Sequence, residues 1–212
     1  MLLRKHSVPV YANALTREVL AEKVGPGAQW RIFEKGQPFN VSELTVSAFP
    51  IPHDAADPVG FVLKRGDASM AVVSDLGHVT SPVREHLREQ DGIFIESNYD
   101  QAMLDADTKR PWSTKQRISS RHGHLSNDQV AELLREVACD RLGHVVLGHL
   151  SSDCNCPDLV TRFLSEELGK AGQNHTRVRC ATQHEVTDWI TIKRSEPQWK
   201  TLRCGSLQGE FF

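Results

Sequence analysis

"AFPIPHDAADPVGF", Ala48 to Phe61, places a histidine among proline and aspartate breakers, between two segments that read as strands. Val41 to Phe49 alternates apolar and polar residues over most of its length, and Val59 to Leu63 is apolar again. A period of two marks a half-buried strand, and clustered Pro and Asp mark a turn. His53 therefore sits in a tight connection at a strand end, where a fold shows side chains to a substrate. A lone loop histidine is more often a surface or capping residue than a ligand, so its meaning depends on what the other strand ends carry.

The flanking sequence supplies those ends. Upstream, a short strand at Val8 to Ala12 precedes a helix over roughly Ala14 to Glu22 with Asn13 as its N-cap, and a strand follows at Gln29 to Phe33. Downstream, strands at Val59 to Lys64 and Ser69 to Ser74 give way to alternation of strand and helix. That alternation runs as a helix at Pro82 to Glu89, a strand at Gly92 to Ser97, a helical turn at Asp100 to Asp107, and a helix at Ser126 to Ala138. Ser126 and Gln129 form a capping box for the last of these, and Val130, Leu133, Leu134 and Val137 make its apolar stripe. A buried strand at His144 to Ser151, a helix at Pro157 to Gly169, and strands at Thr176 to Cys180 and Val186 to Ile192 complete the reading. Hairpins first and strand–helix alternation afterwards indicate an α/β (α+β) domain, with a mixed sheet or two sheets covered by helices in an αββα sandwich. No repeat or linker divides the chain, so residues 1–212 read as one domain with a tail after about residue 192.

With 212 residues and 39% hydrophobic content the chain can bury one sizeable core. A formal net charge of −2 gives no global attraction to polyanions, so a nucleic acid would have to meet a local basic patch. No apolar run is long enough for a signal peptide or a membrane span, which points to the cytoplasm and no membrane partner. Five cysteines without framework spacing read as reduced thiols. Cys154 and Cys156 in "DCNCP" are poor ligand candidates, and His6, His86, His144, His175 and His184 read as structural or solvent-facing.

Four strand ends carry metal-competent groups: His53, Asp75 in "SDLGH", Glu96 in "GIFIES" and His149 in "HVVLGH". Converging N and O donors on rigid elements, with a position left for water, are what a catalytic divalent ion requires. Between Lys109 and Asn127, Lys109, Arg110, Lys115, Arg117 and Arg121 occur with no acidic residue, which is either a phosphate-binding patch for a DNA substrate or a solvated face. His122 and His124 precede the capped helix, whose N-terminus at Ser126 favours anions.

In order, "PIPHDAADPVGF", "VVSDLGHVT", "IFIESNYD", "RISSRHGHLSN" and "VVLGHLSSDCN" resemble the metallo-β-lactamase fold hydrolases, in particular the small YycJ/WalJ-type branch related in fold to RNase Z and RNase J. The resemblance covers about residues 1 to 190. It implies a four-layer αββα sandwich, His53, Asp75 and His149 as metal ligands, and Asp75 bridging two Zn²⁺ or Mn²⁺ ions. It further implies Asp75 and His124 as catalytic groups, with His124 and Ser126 near a scissile phosphate and Asn98 beside the metal edge; from their positions in the sequence, Glu96 and His78 read as supports for the ligands, and Arg117 and Arg121 of the basic stretch as contacts to flanking phosphates. The implied activity is metal-dependent phosphodiester hydrolysis by a 5′ to 3′ DNA exonuclease. Members carry an H-x-H-x-D-H motif near the start that is absent here, and "LLRKHSVPVYA" matches the helix and strand that follow it. The chain is therefore expected to be N-terminally incomplete, with its front strands missing, an exposed front edge, and weak or no metal binding as it stands. A non-catalytic remnant that binds a partner or nucleic acid is the alternative expectation.

Overall fold

A computed structural model describes residues 8–25 and 27–194; His6, Cys204 and the end of the tail lie outside the described residues. The chain runs β1 (Pro9–Ala12), α1 (Ala14–Val24), β2 (Gln29–Ile32), β3 (Phe39–Val41), β4 (Leu44–Pro50), β5 (Val59–Arg65), β6 (Ala68–Val73), α2 (Ser81–Leu87), β7 (Gly92–Glu96), α3 (Gln101–Ala106), α4 (Trp112–Ile118), α5 (Asn127–Val137), β8 (His144–Gly148), α6 (Pro157–Lys170) and β9 (Arg177–Cys180). Local chemistry sets several starts. Asn13, Thr80 and Asp100 each accept a main-chain N–H from the first turn of the helix they cap. Ser126 and Gln129 satisfy each other's backbone in the capping box, two orphan donors at once.

Strands β3 to β9 form one seven-stranded sheet in sequence order, antiparallel from β3 to β6 and parallel from β6 to β9. Hairpins suffice for the first half. Each parallel step needs a crossover, supplied by α2, by α3 to α5, and by α6. Along β6, β7 and β8 alternate residues Ala71, Val73, Ile93, Ile95, Val145 and Leu147 point to one face and are buried with Val83 and Leu87 of α2, Val130 and Leu134 of α5, and Val160 and Leu164 of α6. On the other face β1 and β2 pair in parallel with each other, with α1 beside β2. Phe33, just past β2, stacks on Phe39 and meets Phe61 edge-on, which ties the small sheet to the large one. Helices, large sheet, small sheet and α1 thus form the layers of a mixed α/β sandwich.

Three readings change. Val41 to Phe49 is not one strand, because Ser42 takes a left-handed backbone (φ 52°) and with Glu43 forms the turn of the β3–β4 hairpin. Val186 to Ile192 has the composition of a strand but no ladder partner among the described residues, and Trp189 in it is wholly exposed. The basic segment, unassigned from sequence, contains α4. At the front, β1 and β2 have only each other as partners among the described residues, and Leu15, Val19 and Ile32 are exposed. No described helix is long and apolar enough to cross a membrane.

Candidate metal centre

Asp75, Glu96 and His149 lie at or just beyond the C-terminal ends of β6, β7 and β8, which share one edge because the three strands are parallel. The β4–β5 connection brings His53 to the same edge, and the segment before α5 brings His124. Asp75 Oδ1 is 3.2 Å from His149 Nε2, 3.8 Å from His124 Nδ1 and 3.9 Å from His53 Nε2. The rings of His53 and His124 are 5.2 Å apart and those of His124 and His149 are 4.9 Å apart. Potential ligand atoms of Asp75, Glu96, His124 and His149 all fall within 4.8 Å of one another, and this is the one such group among the described residues.

The backbone is bent to make this meeting. Asp75 (φ 59°) and His149 (φ 52°) both occupy the left-handed region, which non-glycine residues seldom enter and which clusters at functional sites. Asn98 holds the second bend: its Nδ2 donates to the His149 carbonyl at 2.9 Å, and its own carbonyl accepts from Ser151 N. Beneath it, Ser97, Asn127 and Asn155 form a buried hydrogen-bonded set that joins the end of β7 to the start of α5.

Glu96 has a side chain with no exposed surface. One oxygen accepts the Leu76 N–H at 2.5 Å and the Leu125 N–H at 3.4 Å, and the other accepts from His124 Nδ1 at 2.9 Å. Both oxygens accept hydrogen bonds, so Glu96 orients its neighbours. Burial of the His124 ring opposes its charge, but the Glu96 hydrogen bond and the carboxylates of Glu96, Asp75 and Asp54 outweigh it and raise the pKa. His53 Nδ1 donates to the Gly123 carbonyl at 3.0 Å, which leaves the Nε2 lone pair on the Asp75 side. Asp75 with two imidazoles whose Nε2 atoms face it, His53 and His149, is an N/O donor set that suits a small divalent cation. In this geometry His124, its Nδ1 proton committed to Glu96, stands next to that set rather than within it.

The remaining sequence candidates take other places. His78 Nδ1 donates to the Arg121 carbonyl at 2.9 Å while its Nε2 accepts from the Arg121 guanidinium at 3.0 Å, so the pair closes the loop beside Asp75. Asn98 is 8% exposed and its Nδ2 is engaged with main chain, and the Ser126 hydroxyl oxygen accepts the Gln129 N–H of its helix cap. The five cations do not form a patch of free charge. Arg117 binds Asp54 at 2.7 Å, Lys109 binds Asp153 at 2.5 Å, and Arg110 is shared by Asp107 and Asp153 at 2.9 Å. Of the five, Lys115, on the Asp105 carbonyl, and Arg121, on the His78 ring, have no carboxylate ion pair among the described residues. Asp54 is the functional neighbour that sequence reading passed over. It lies 3.3 Å from His53 Nε2, and the Arg117 hydrogen bond holds its carboxyl below the usual range, against a smaller opposing effect of burial. Its one available signal was adjacency to His53.

Gly123 sets how closely this wall approaches. A Cβ there would fall inside the van der Waals radii of the Arg117 and Ile118 carbonyl oxygens, and the His124 N–H bonds to Ile118 O at 2.8 Å. Gly123→Ala is expected to cost about 1–3 kcal/mol through this overpacking of main chain on main chain. A chemical-denaturation midpoint equal to that of the parent would show that the wall yields freely.

Comparison with known proteins agrees with this architecture. The chain is 32% identical over 174 residues to the exodeoxyribonuclease YycJ of Bacillus anthracis, spanning 81% of this chain and 66% of that protein. It is 30% identical over 175 residues to the exodeoxyribonuclease WalJ of Streptococcus pneumoniae serotype 2 (strain D39), spanning 81% and 65%. It thus spans just under two thirds of the length of these curated relatives. Among solved structures, the metallo-β-lactamase fold protein YhfI from Bacillus subtilis superposes with a TM-score of 0.60 at 14% identity, covering 83% of this chain and 63% of that one. Zn²⁺-bound PqqB from Methylobacterium extorquens gives 0.55 at 19% identity, covering 84% and 65%. The family model of the beta-lactamase superfamily domain matches residues 1–149, and with the sandwich and its strand-edge cluster already in place, the chain belongs to that superfamily in its metallo-β-lactamase fold.

Proposed function

We propose that the protein is a metal-dependent phosphodiesterase that acts on DNA, an exonuclease working from the 5′ end. The observation that carries this reading is the approach of three imidazoles to one oxygen of Asp75, beside a buried Glu96–His124 pair. The names of the curated relatives support the choice of DNA over the other substrates that this fold hosts.

Asp75, His53 and His149 would hold the ion, with Asp75 as the ligand shared if two are bound, because His53 and His149 reach the same oxygen from different loops. Bound there, Zn²⁺ or Mn²⁺ supplies Lewis acidity toward a phosphate oxygen and acidifies water near neutral pH. The chain's own groups do the rest. His53 is fixed in one tautomer by the Gly123 carbonyl, so its Nε2 stays a lone-pair donor. Glu96 fixes the His124 ring at Nδ1 and leaves Nε2 as the atom that can meet the leaving oxygen of a cleaved ester. Arg121, hydrogen-bonded to His78 beside the Asp75 loop, can meet a flanking phosphate.

The test is hydrolysis of a 5′-labelled and a 3′-labelled DNA strand with Mn²⁺ or Zn²⁺ and with chelator. Metal-dependent release of nucleotides from the 5′ end is expected. DNA binding that persists with no cleavage under any metal would replace this reading with a binding module, and cleavage insensitive to chelator would remove the metal from it.

A further inference from the structure

Trp112, the first residue of α4, is 71% exposed, in a protein whose other large apolar side chains mostly reach the core. Its helix is not a loose appendage. Asp107, Arg110 and Asp153 pin the chain before it, and the Lys115 ammonium is tied to the Asp105 carbonyl of α3. Arg117 at its end binds Asp54 beside His53, and the Ile118 carbonyl receives the His124 N–H. The helix is thereby fixed to the candidate centre at one end and carries a bare indole at the other.

Trp112 and Lys115 are three residues apart, so they share a face of α4. Lys115 is also a cation of the basic stretch with no carboxylate ion pair among the described residues, and its charge remains available to a phosphate. From Trp112 to Ile118 a helix rises about 9 Å, which a stacked strand covers in roughly three nucleotides at about 3.4 Å each. An indole face accepts any base, and a neighbouring cation accepts the phosphate beside it, which is how single strands are gripped without sequence preference.

We propose that Trp112 and Lys115 form a stacking platform for the single-stranded portion of a DNA substrate, a few nucleotides from the Asp75 centre. This rests on the nucleic-acid reading above and adds to it the form of the substrate, an unpaired strand whose bases are free to stack, in preference to a closed duplex.

The test is binding of a fluorescein-labelled oligodeoxythymidylate to the purified chain in chelator, followed by anisotropy, beside a blunt duplex of equal length. The parent should bind the single strand more tightly than the duplex. Trp112→Ala should weaken single-strand binding by roughly 5- to 150-fold, and Trp112→Phe should recover most of the loss. Trp189→Ala, which removes an exposed indole outside α4, should bind as the parent does. Lys115→Ala should lower the salt dependence of log Kd by about 0.7, the share of one phosphate that the variant no longer neutralises. Affinity within twofold of the parent for Trp112→Ala, an equal loss for Trp189→Ala, or no measurable single-strand binding by the parent would each overturn the proposal. Hydrolysis of bis(p-nitrophenyl) phosphate with Mn²⁺ tests the enzymatic reading separately: its absence alongside a Trp112-dependent strand contact would sink the activity and leave the platform standing.

Discussion

Asp75→Ala lowers turnover at saturating DNA by roughly a thousandfold or more, while DNA binding in chelator stays near the parent value. Among the described residues Asp75 is the one carboxylate paired within 4 Å with all three imidazoles, so its loss dissolves the donor set instead of trimming it. Interactions realised only in the reacting state appear in kcat, and removal of one member of a unit that acts together costs about as much as removal of several. Fold should survive, because Asp75 is 45% exposed at its side chain and accepts no main-chain cap. Zinc titration gives the second readout: Asp75→Ala and His149→Ala are expected to bind zinc more weakly than the parent. Near-normal turnover in Asp75→Ala would remove this cluster from the chemistry. Arg121→Ala is the contrasting variant, expected to raise KM and flatten salt dependence with kcat retained. Arg117→Ala is not its equivalent, since it also frees the Asp54 carboxylate 3.3 Å from His53 and so perturbs the centre itself.

The two halves of this site differ in how far the sequence discloses them. His53, Asp75 and His149 announce themselves by position, each just past an apolar run, because the parallel strands β6 and β8 end on a common edge and the breakers around His53 can form only a loop. The Glu96–His124 bond joins residues 28 apart whose meeting depends on how α3 and α4 pack, so no local pattern encodes it. The same holds for the basic stretch. Within Lys109 to Asn127 no acid is visible, yet besides the adjacent Asp107 the acids that neutralise it arrive from Asp54 and Asp153, 63 and 44 residues away from Arg117 and Lys109. Short elements fail for a different reason. α4 has no buried residue and therefore no apolar stripe to read, and β3 and β4 share one alternating pattern that only the left-handed Ser42 divides. Val186 to Ile192 shows the converse, β-branched and aromatic residues with no strand paired to them among the described residues. Periodicity reports burial on one face; pairing and charge compensation are settled by partners far along the chain.

Glu96 is where fold and chemistry depend on the same atoms, and its two substitutions should separate them. In Glu96→Ala the Leu76 and Leu125 N–H groups lose their acceptor in a region with no solvent access, and the His124 ring loses its anchor. Stranded buried donors cost about 1–3 kcal/mol each, so a loss of roughly 2–5 kcal/mol and a visibly lower melting temperature are expected. Glu96→Gln keeps the shape. Its one carbonyl oxygen can still accept from Leu76 and Leu125, and the amide nitrogen then faces His124 Nδ1 as a donor. His124 Nδ1 must become an acceptor, so the neutral ring moves its proton to Nε2 and loses the carboxylate that favours its charged form. The melting temperature of Glu96→Gln should therefore lie close to the parent and far above Glu96→Ala, while turnover falls by about 10²- to 10⁴-fold, the range that positioned proton transfer contributes. Nitrogen-15 shifts of the His124 ring report the tautomer directly. If Glu96→Gln retains parental turnover with the proton demonstrably on Nε2, then His124 supports the wall of the centre and the proton for the leaving oxygen comes from elsewhere.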